Sequence, residues 1–126
     1  MIINNKEFVI QIENQRFHCA MDVSMKYIGG KWKSVVLWYL RKESKRFAML
    51  KKLIPQITER MLSITLQQLE KDGLVKREVF MSKPPLKVEY SLTDFGKSLL
   101  PALEALAQWG REVSKQKGEI IEVKND

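Results

Sequence analysis

The fold of this chain is decided by residues 58–73, which read TERMLSITLQQLEKDG. Three leucines recur there at the spacing of one helix face: Leu62, Leu66 and Leu69. Thr58 is a suitable N-cap, and the Asp72-Gly73 pair is a typical stop signal for a helix. The stretch therefore predicts an amphipathic helix over residues 58–71, about 21 Å long.

The opposite face of this helix carries polar and basic side chains. At 100° per residue, five residues point away from the leucines: Arg60, Ser63, Ile64, Gln67 and Lys71. Arg, Ser and Gln on one exposed face suit contact with base edges and phosphates, although a solvated helix charge is the alternative for Arg60. Ile64 fits either contact with a thymine methyl group or a tolerated exposed apolar position.

Three shorter helices are predicted upstream of this one. The first covers residues 20–29 and stops at Gly29-Gly30, and the third runs from Phe47 to Ile54 and ends before Pro55. The second begins near Lys31 and carries a broad apolar stripe: Trp32, Val35, Val36, Tyr39 and Leu40. Ahead of them, residues 8–12 alternate as a short strand within an N-terminal arm.

A hairpin and a last helix are predicted downstream. The first strand covers residues 74–81 and places four side chains on one side: Val75, Arg77, Val79 and Met81. Residues 82–85 form a turn, because the prolines at 84 and 85 cannot join a central ladder. The return strand alternates through Val88, Tyr90 and Leu92, and Thr93 then caps one long helix. Its apolar stripe is Leu99, Leu103, Leu106, Trp109 and Val113.

This order of elements predicts a mainly α protein with a small β-hairpin, namely a winged helix-turn-helix. We expect an N-terminal arm over residues 1–18, a winged domain over 19–97, and a C-terminal dimerisation helix and tail over 98–126. A core of this size cannot bury both amphipathic ends. The terminal segments are therefore predicted to form a homodimer interface, with the stripe of the last helix at its centre.

The charge of the chain is basic and localised. The 126 residues carry a formal net charge of +7, with a pI near 9.6. Residues 31–53 hold Glu43 as their one acid and eight bases: Lys31, Lys33, Arg41, Lys42, Lys45, Arg46, Lys51 and Lys52. An excess of this kind beside a helix-turn-helix favours a phosphate-facing surface over two merely solvated helix faces.

Five motifs, in register over about residues 19–110, resemble the HxlR family of winged-helix transcriptional regulators. They are Tyr27 to Lys33, Arg46-Phe47 with Leu50, Ile57 to Leu62, Leu66 to Val75, and Pro84 to Gly96 followed by Trp109-Gly110. The resemblance implies a dimeric, bacterial-type DNA-binding regulator with MarR-like architecture. Its recognition helix (58–71) would enter the major groove, and its wing (75–92) would lie on the backbone or minor groove. We expect the DNA contacts at Lys31, Lys33, Arg46, Thr58, Arg60, Met61, Ser63, Ile64, Gln67, Lys71, Lys83 and Lys87.

Cys19 is the only cysteine of the chain, so no internal disulfide forms. It stands just before the first predicted helix, where the helix dipole stabilises a thiolate, while Asp22 in the first turn opposes that effect. The family resemblance implies a role in sensing oxidants or electrophiles. The alternative is a small buried residue. A small-molecule or oxidant effector is therefore expected to act on the regulator.

Other classes of function find little support in the sequence. Two adjacent side chains, His18 and Cys19, cannot supply the four ligands of a structural zinc site, and they make a poor catalytic dyad. We expect neither a cofactor nor enzymatic activity. No signal peptide follows Met1 and no run approaches ~20 apolar residues, which predicts a cytoplasmic protein. The competing hypothesis is a winged-helix module that binds an acidic protein partner without DNA.

Overall fold

The computed structural model describes residues 1–81 and 83–124, and these residues form six helices. The helices are α1 (Ala20–Ile28), α2 (Lys33–Tyr39), α3 (Phe47–Leu53), α4 (Glu59–Lys71), α5 (Asp94–Lys97) and α6 (Leu100–Lys117). Short strands pair antiparallel as β1 (Ile2–Ile3) with β2 (Lys6–Glu7), β3 (Ile10–Ile12) with β4 (Gln15–Phe17), and β5 (Val75–Val79) with β6 (Val88–Leu92). The order from α1 to α6, with a hairpin after α4, confirms the winged helix-turn-helix.

The core lies where α2, α3 and α4 pack against the base of the β5–β6 hairpin. The leucine face of α4 is confirmed, because Leu62, Leu66 and Leu69 are at most 1% exposed. On α2 the fully buried positions are Val36 and Leu37. Leu37 lies outside the predicted stripe, and it is buried because α1, α3 and α4 all contact α2 and enclose it on several sides.

The C-terminal region differs from the single long helix that the sequence predicts. Thr93 does cap a helix, since its Oγ1 accepts the Gly96 N–H at 3.0 Å, but that helix is only α5. Pro101 lies in the first turn of a separate helix, α6. A proline has no N–H to donate to the carbonyl four residues earlier, here that of Lys97, so the helix is interrupted between α5 and α6.

The N-terminal arm also differs from the prediction of one strand over residues 8–12. It forms two successive hairpins, β1–β2 and β3–β4. Asn4 and Asn5 have φ of 53° and 64°, a left-handed conformation that asparagine tolerates and that a tight hairpin turn requires. Phe17 at the end of the arm is buried, and β4 contacts α1, which attaches the arm to the winged domain.

Beyond α6, residues 118–124 form neither helix nor strand, and their side chains are exposed. Among the described helices, none is both long and apolar enough to span a bilayer.

Candidate nucleic-acid interface

The recognition helix α4 is fixed by its caps and its buried face. The Thr58 hydroxyl accepts the Met61 N–H at 3.0 Å, which confirms Thr58 as the N-cap. At the other end Gly73 has a φ of 79°, a conformation that favours glycine after a helix. Because the leucines lock one face into the core, the orientation of the opposite face is set by the fold.

That opposite face presents the predicted side chains to different degrees. Arg60, Gln67 and Lys71 are exposed, and Met61 in the first turn is 40% exposed. Ser63 and Ile64 are only half-buried rather than fully outward. The half-burial of Ile64 explains why an apolar side chain is tolerated next to the polar face. An arginine and a glutamine, about two turns apart, are therefore both accessible on this face of α4.

The cations of residues 31–53 are not all free to face phosphates. Several of them contact groups of the chain itself. The Arg41 guanidinium lies 3.8 Å from the centre of the Trp38 ring and donates to the Trp38 carbonyl at 2.8 Å. Lys45 pairs with Glu43 at 3.1 Å, and Lys51 donates to the Pro55 carbonyl at 3.0 Å.

Lys33, another predicted DNA contact, is engaged within the chain. Its Nζ donates to the Lys26 carbonyl at 3.2 Å and lies 4.0 Å from Asp72 Oδ2. Lys26 Nζ approaches the other oxygen of the same carboxylate at 3.6 Å. Asp72 is the C-cap residue of α4, so the two lysines link α1 and α2 to the end of the recognition helix. We assign Lys33 to this internal contact and remove it from the DNA-facing set.

Two other predicted contacts of the upstream region stay exposed. Lys31 lies over the Trp32 ring, with its Nζ 4.8 Å from the ring centre. Arg46 precedes α3, and its Nη2 donates to the Leu86 carbonyl at 3.4 Å. This contact joins the first helix of the helix-turn-helix to the wing. Arg46 therefore couples the positions of these two elements.

The wing is a two-stranded hairpin that extends beyond the core. Val75 pairs with Leu92 at its buried base and Val79 pairs with Val88 at its outer end. A third strand-like contact joins the backbones of Lys45 and Tyr90. Lys83 and Lys87 are exposed on the outer part, where the sequence predicts DNA contacts. Ser82, in the predicted turn, lies outside the described residues.

Of the four residues predicted to share one side of the first wing strand, Val75 is buried and the outer ones are not. Val79 and Met81 are 47% and 52% exposed, because the hairpin leaves the core after Val75 and no element covers it there. Phe80 and Leu86 are also half exposed, at 53% and 50%, and sequence reasoning missed both. The uninterrupted apolar run Val79-Phe80-Met81 beside a proline turn was the signal that could have indicated an apolar tip.

Cys19 occupies the N-cap position of α1 and is half-buried. Its side chain makes no capping hydrogen bond; instead, Asp22 Oδ2 accepts the His18 N–H at 2.9 Å. The thiol is therefore not used to cap the helix. The Asp22 contact fixes the backbone just ahead of α1 and does not replace an N-cap, because the His18 N–H lies outside the helix.

Part of the predicted dimer stripe on α6 is buried in the core of the chain, and part is exposed. Leu103 is 4% exposed and belongs to the core of its own chain, so it is not available to a partner. Leu99 and Val113 are half-buried. By contrast, Leu106 and Trp109 are 51% and 70% exposed. Leu106 also lines an open groove of about 380 Å³ between α2 and α6, together with Val35, Trp38 and Tyr39.

Comparison with known proteins places this geometry in a family. The model of the HxlR-like helix-turn-helix matches residues 27–118. The HTH-type transcriptional regulator YkvN of Bacillus subtilis (strain 168) is 47% identical over 102 residues, covering 81% of this chain and 86% of that protein.

Solved structures agree with the sequence matches. The redox regulator HypR in its oxidized form is 41% identical with a TM-score of 0.71, covering 75% of this chain and 96% of HypR. Quinone-bound YodB from B. subtilis is 26% identical with a TM-score of 0.61, covering 73% of this chain and 96% of YodB. The fold, the capped recognition helix and these matches agree, and the chain belongs to the HxlR-like helix-turn-helix family of transcriptional regulators.

Proposed function

We propose that this regulator binds DNA sequence-specifically as a homodimer, with α4 in the major groove and the wing on the backbone or minor groove. The observation that carries the proposal is the polar face of α4. Arg60 and Gln67 are exposed there, opposite a leucine face whose side chains are at most 1% exposed. Arginine reads guanine edges and glutamine reads adenine edges in the major groove, so this face has the chemistry for direct readout.

The DNA-facing surface in this proposal omits Lys33. The remaining contacts are Lys31, Arg46, Thr58, Arg60, Met61, Ser63, Ile64, Gln67, Lys71, Lys83 and Lys87. Lys83 and Lys87 would contact phosphates from the wing while α4 reads bases. Phosphate contacts set affinity and register, whereas base contacts set the sequence. Gene regulation of this kind takes place in the cytoplasm of a prokaryotic cell, which we propose as the location.

The second copy in this proposal packs against the exposed part of α6. Leu106 and Trp109 form the apolar centre, and half-buried Leu99 and Val113 flank it. An isologous contact of two α6 helices gives a two-fold axis. The two recognition helices would then read half-sites about one helical turn, or ~34 Å, apart.

Selection of the purified protein on a random double-stranded DNA library, read by sequencing, tests the proposal. We expect enrichment of a two-fold-symmetric motif at moderate salt. The absence of a motif, together with no salt-dependent DNA affinity, would contradict it. That result would support the alternative, a winged-helix module whose basic surface binds an acidic protein.

We further propose that Cys19 makes this regulator responsive to electrophiles and oxidants. The half-buried thiol is free of capping contacts, and two structural relatives are the redox regulator HypR and the quinone-bound YodB. Addition of the Cys19 thiol to a quinone forms a C–S bond, and the thiol proton moves to a carbonyl oxygen of the quinone. Oxidation instead joins the Cys19 thiols of two chains, and both protons and two electrons pass to the oxidant.

Replacement of this one thiol tests its role. We expect Cys19→Ser to bind the selected DNA as the unmodified protein does, and to keep that affinity when a quinone or diamide is added. The unmodified protein should change its affinity and gain the mass of the adduct, or run as a cross-linked dimer. Equal responses of the two proteins would contradict a role for Cys19.

A further inference from the structure

The tip of the wing is apolar, although the wing belongs to a basic protein. Four side chains there are about half exposed: Val79 at 47%, Phe80 at 53%, Met81 at 52% and Leu86 at 50%. Single exposed apolar residues are common on protein surfaces, whereas four at the end of one projection indicate a contact surface.

Cations surround this tip and acids are absent from it. Residues 79–88 contain no Asp or Glu, and they include Lys83 and Lys87, both exposed. The nearest wing acids lie nearer the body, where Glu78 pairs with Lys76 at 3.1 Å and Glu89 lies 4.0 Å from Lys87. An apolar point flanked by lysines is complementary to a target that is apolar inside and anionic outside.

The tip is also held away from the core. The Phe80 N–H donates to the Lys87 carbonyl at 2.7 Å, which continues the ladder past the Val79–Val88 pair. Lys87 Nζ lies 5.8 Å from the centre of the Phe80 ring, and Arg46 donates to the Leu86 carbonyl. These contacts favour an extended wing. The apolar side chains of its tip therefore stay outside the core of the chain.

Resting on the DNA-binding function proposed above, we propose that the wing tip is a minor-groove wedge. Phe80 inserts between two stacked base pairs and bends the duplex, while Lys83 and Lys87 contact the phosphates on either side. Apolar wedges of Phe, Leu, Ile, Met or Pro act in this way in other minor-groove proteins. The cost of unstacking is lowest at pyrimidine–purine steps, so the wedge adds sequence preference without a base hydrogen bond.

The experiment uses the full chain and the duplex recovered by selection. 2-Aminopurine is placed in turn at each position next to the recognition half-sites, and a donor and an acceptor dye at the two ends report bending. We expect one step to gain 2-aminopurine fluorescence on binding, and the end-to-end distance to shorten. Phe80→Ala should lose both signals while still binding DNA.

Ile2→Ala is the matched control, because it removes an exposed apolar side chain from the N-terminal arm. Unchanged signals in Phe80→Ala, or DNA binding by the unmodified protein with neither signal, would overturn the wedge and leave the DNA-binding function standing. The latter outcome would point to a protein partner for the tip. A protein that enriches no motif in the selection overturns both proposals.

Discussion

At Gly96 the chain has no room for a side chain. A Cβ there would lie 2.1 Å from the Leu74 carbonyl oxygen, because α5 packs directly on the start of the wing. We expect Gly96→Ala to lower the free energy of unfolding by about 1–3 kcal/mol, since backbone must move to admit the methyl group. Urea denaturation followed by circular dichroism measures the change.

Gly110 is the matched control for Gly96. It lies within α6, and nothing would lie within 4 Å of an added Cβ. Gly110→Ala should therefore raise stability by about 0.5–1 kcal/mol through helix propensity. If both substitutions had the same effect, the close approach of α5 to Leu74 would not be what requires glycine at position 96.

Arg60 is the residue on which base readout depends most. It is exposed on the first turn of α4, where a recognition helix meets base edges. We expect Arg60→Ala to weaken binding to the selected duplex by about 1–3 kcal/mol, which is about 5-fold to 150-fold, and to relax the preference at one position of each half-site. A binding titration combined with a repeated selection gives both numbers.

Lys117→Ala removes a cation from the last turn of α6 and provides the control for Arg60→Ala. Equal losses in the two variants would mean that Arg60 contributes only general charge. In that case the polar face of α4 would not be the reading surface.

At the scale of elements, the helices upstream of the wing could be predicted from the sequence, because their signals are local. Leucine spacing, the Thr58 cap and Asp72-Gly73 located α4 to within a residue. The division between α5 and α6 was also locally encoded, in Pro101, but the continuous apolar stripe concealed it. The side of β5 that is buried could not be predicted, since it depends on how far the hairpin extends beyond its neighbours.

Two lysines represent two kinds of element, one proposed to face DNA and one that holds the fold together. Lys87 lies on the wing, whereas Lys33 braces the end of α4 through Asp72. We expect Lys87→Ala to lower the slope of log affinity against log salt by about 1, because one phosphate contact is lost. Lys33→Ala should leave that slope unchanged and cost less than about 1 kcal/mol of stability, as partly exposed ion pairs contribute little.

Affinities measured over a range of salt concentrations decide between these assignments. A reduced slope in Lys33→Ala would return this residue to the DNA-facing surface. It would also mean that the contact with Asp72 opens when DNA binds.

At the scale of the whole molecule, the sequence predicted a second copy and a contact surface on the last helix, but not how much of that surface the chain's own core would use. The apolar stripe of α6 was visible as a pattern, yet Leu103 is used by its own core and only Leu106 and Trp109 stay well exposed. The two hairpins of the arm were not predictable either. Their strands of two or three residues are too short for a periodic signal, and Asn4-Asn5 was the one local indication of a turn.

A substitution of the exposed Trp109 tests the proposed homodimer directly. We expect Trp109→Glu to convert the homodimer into monomers in sedimentation experiments, because a charge would be buried at an apolar contact. DNA affinity should fall as well, since two half-sites are then bound independently. Gln116→Ala, on the last turn of the same helix, should stay dimeric; dimers in both variants would place the interface elsewhere.

Hydroxyl-radical footprinting of the full chain on its selected duplex tests the central claim most directly, which is that two copies read DNA together. We expect two protected tracts related by a two-fold axis and centred about one helical turn apart, ~34 Å, with further protection where each wing lies on the minor groove. A single protected tract, or protection with no regular spacing, would contradict the homodimeric regulator.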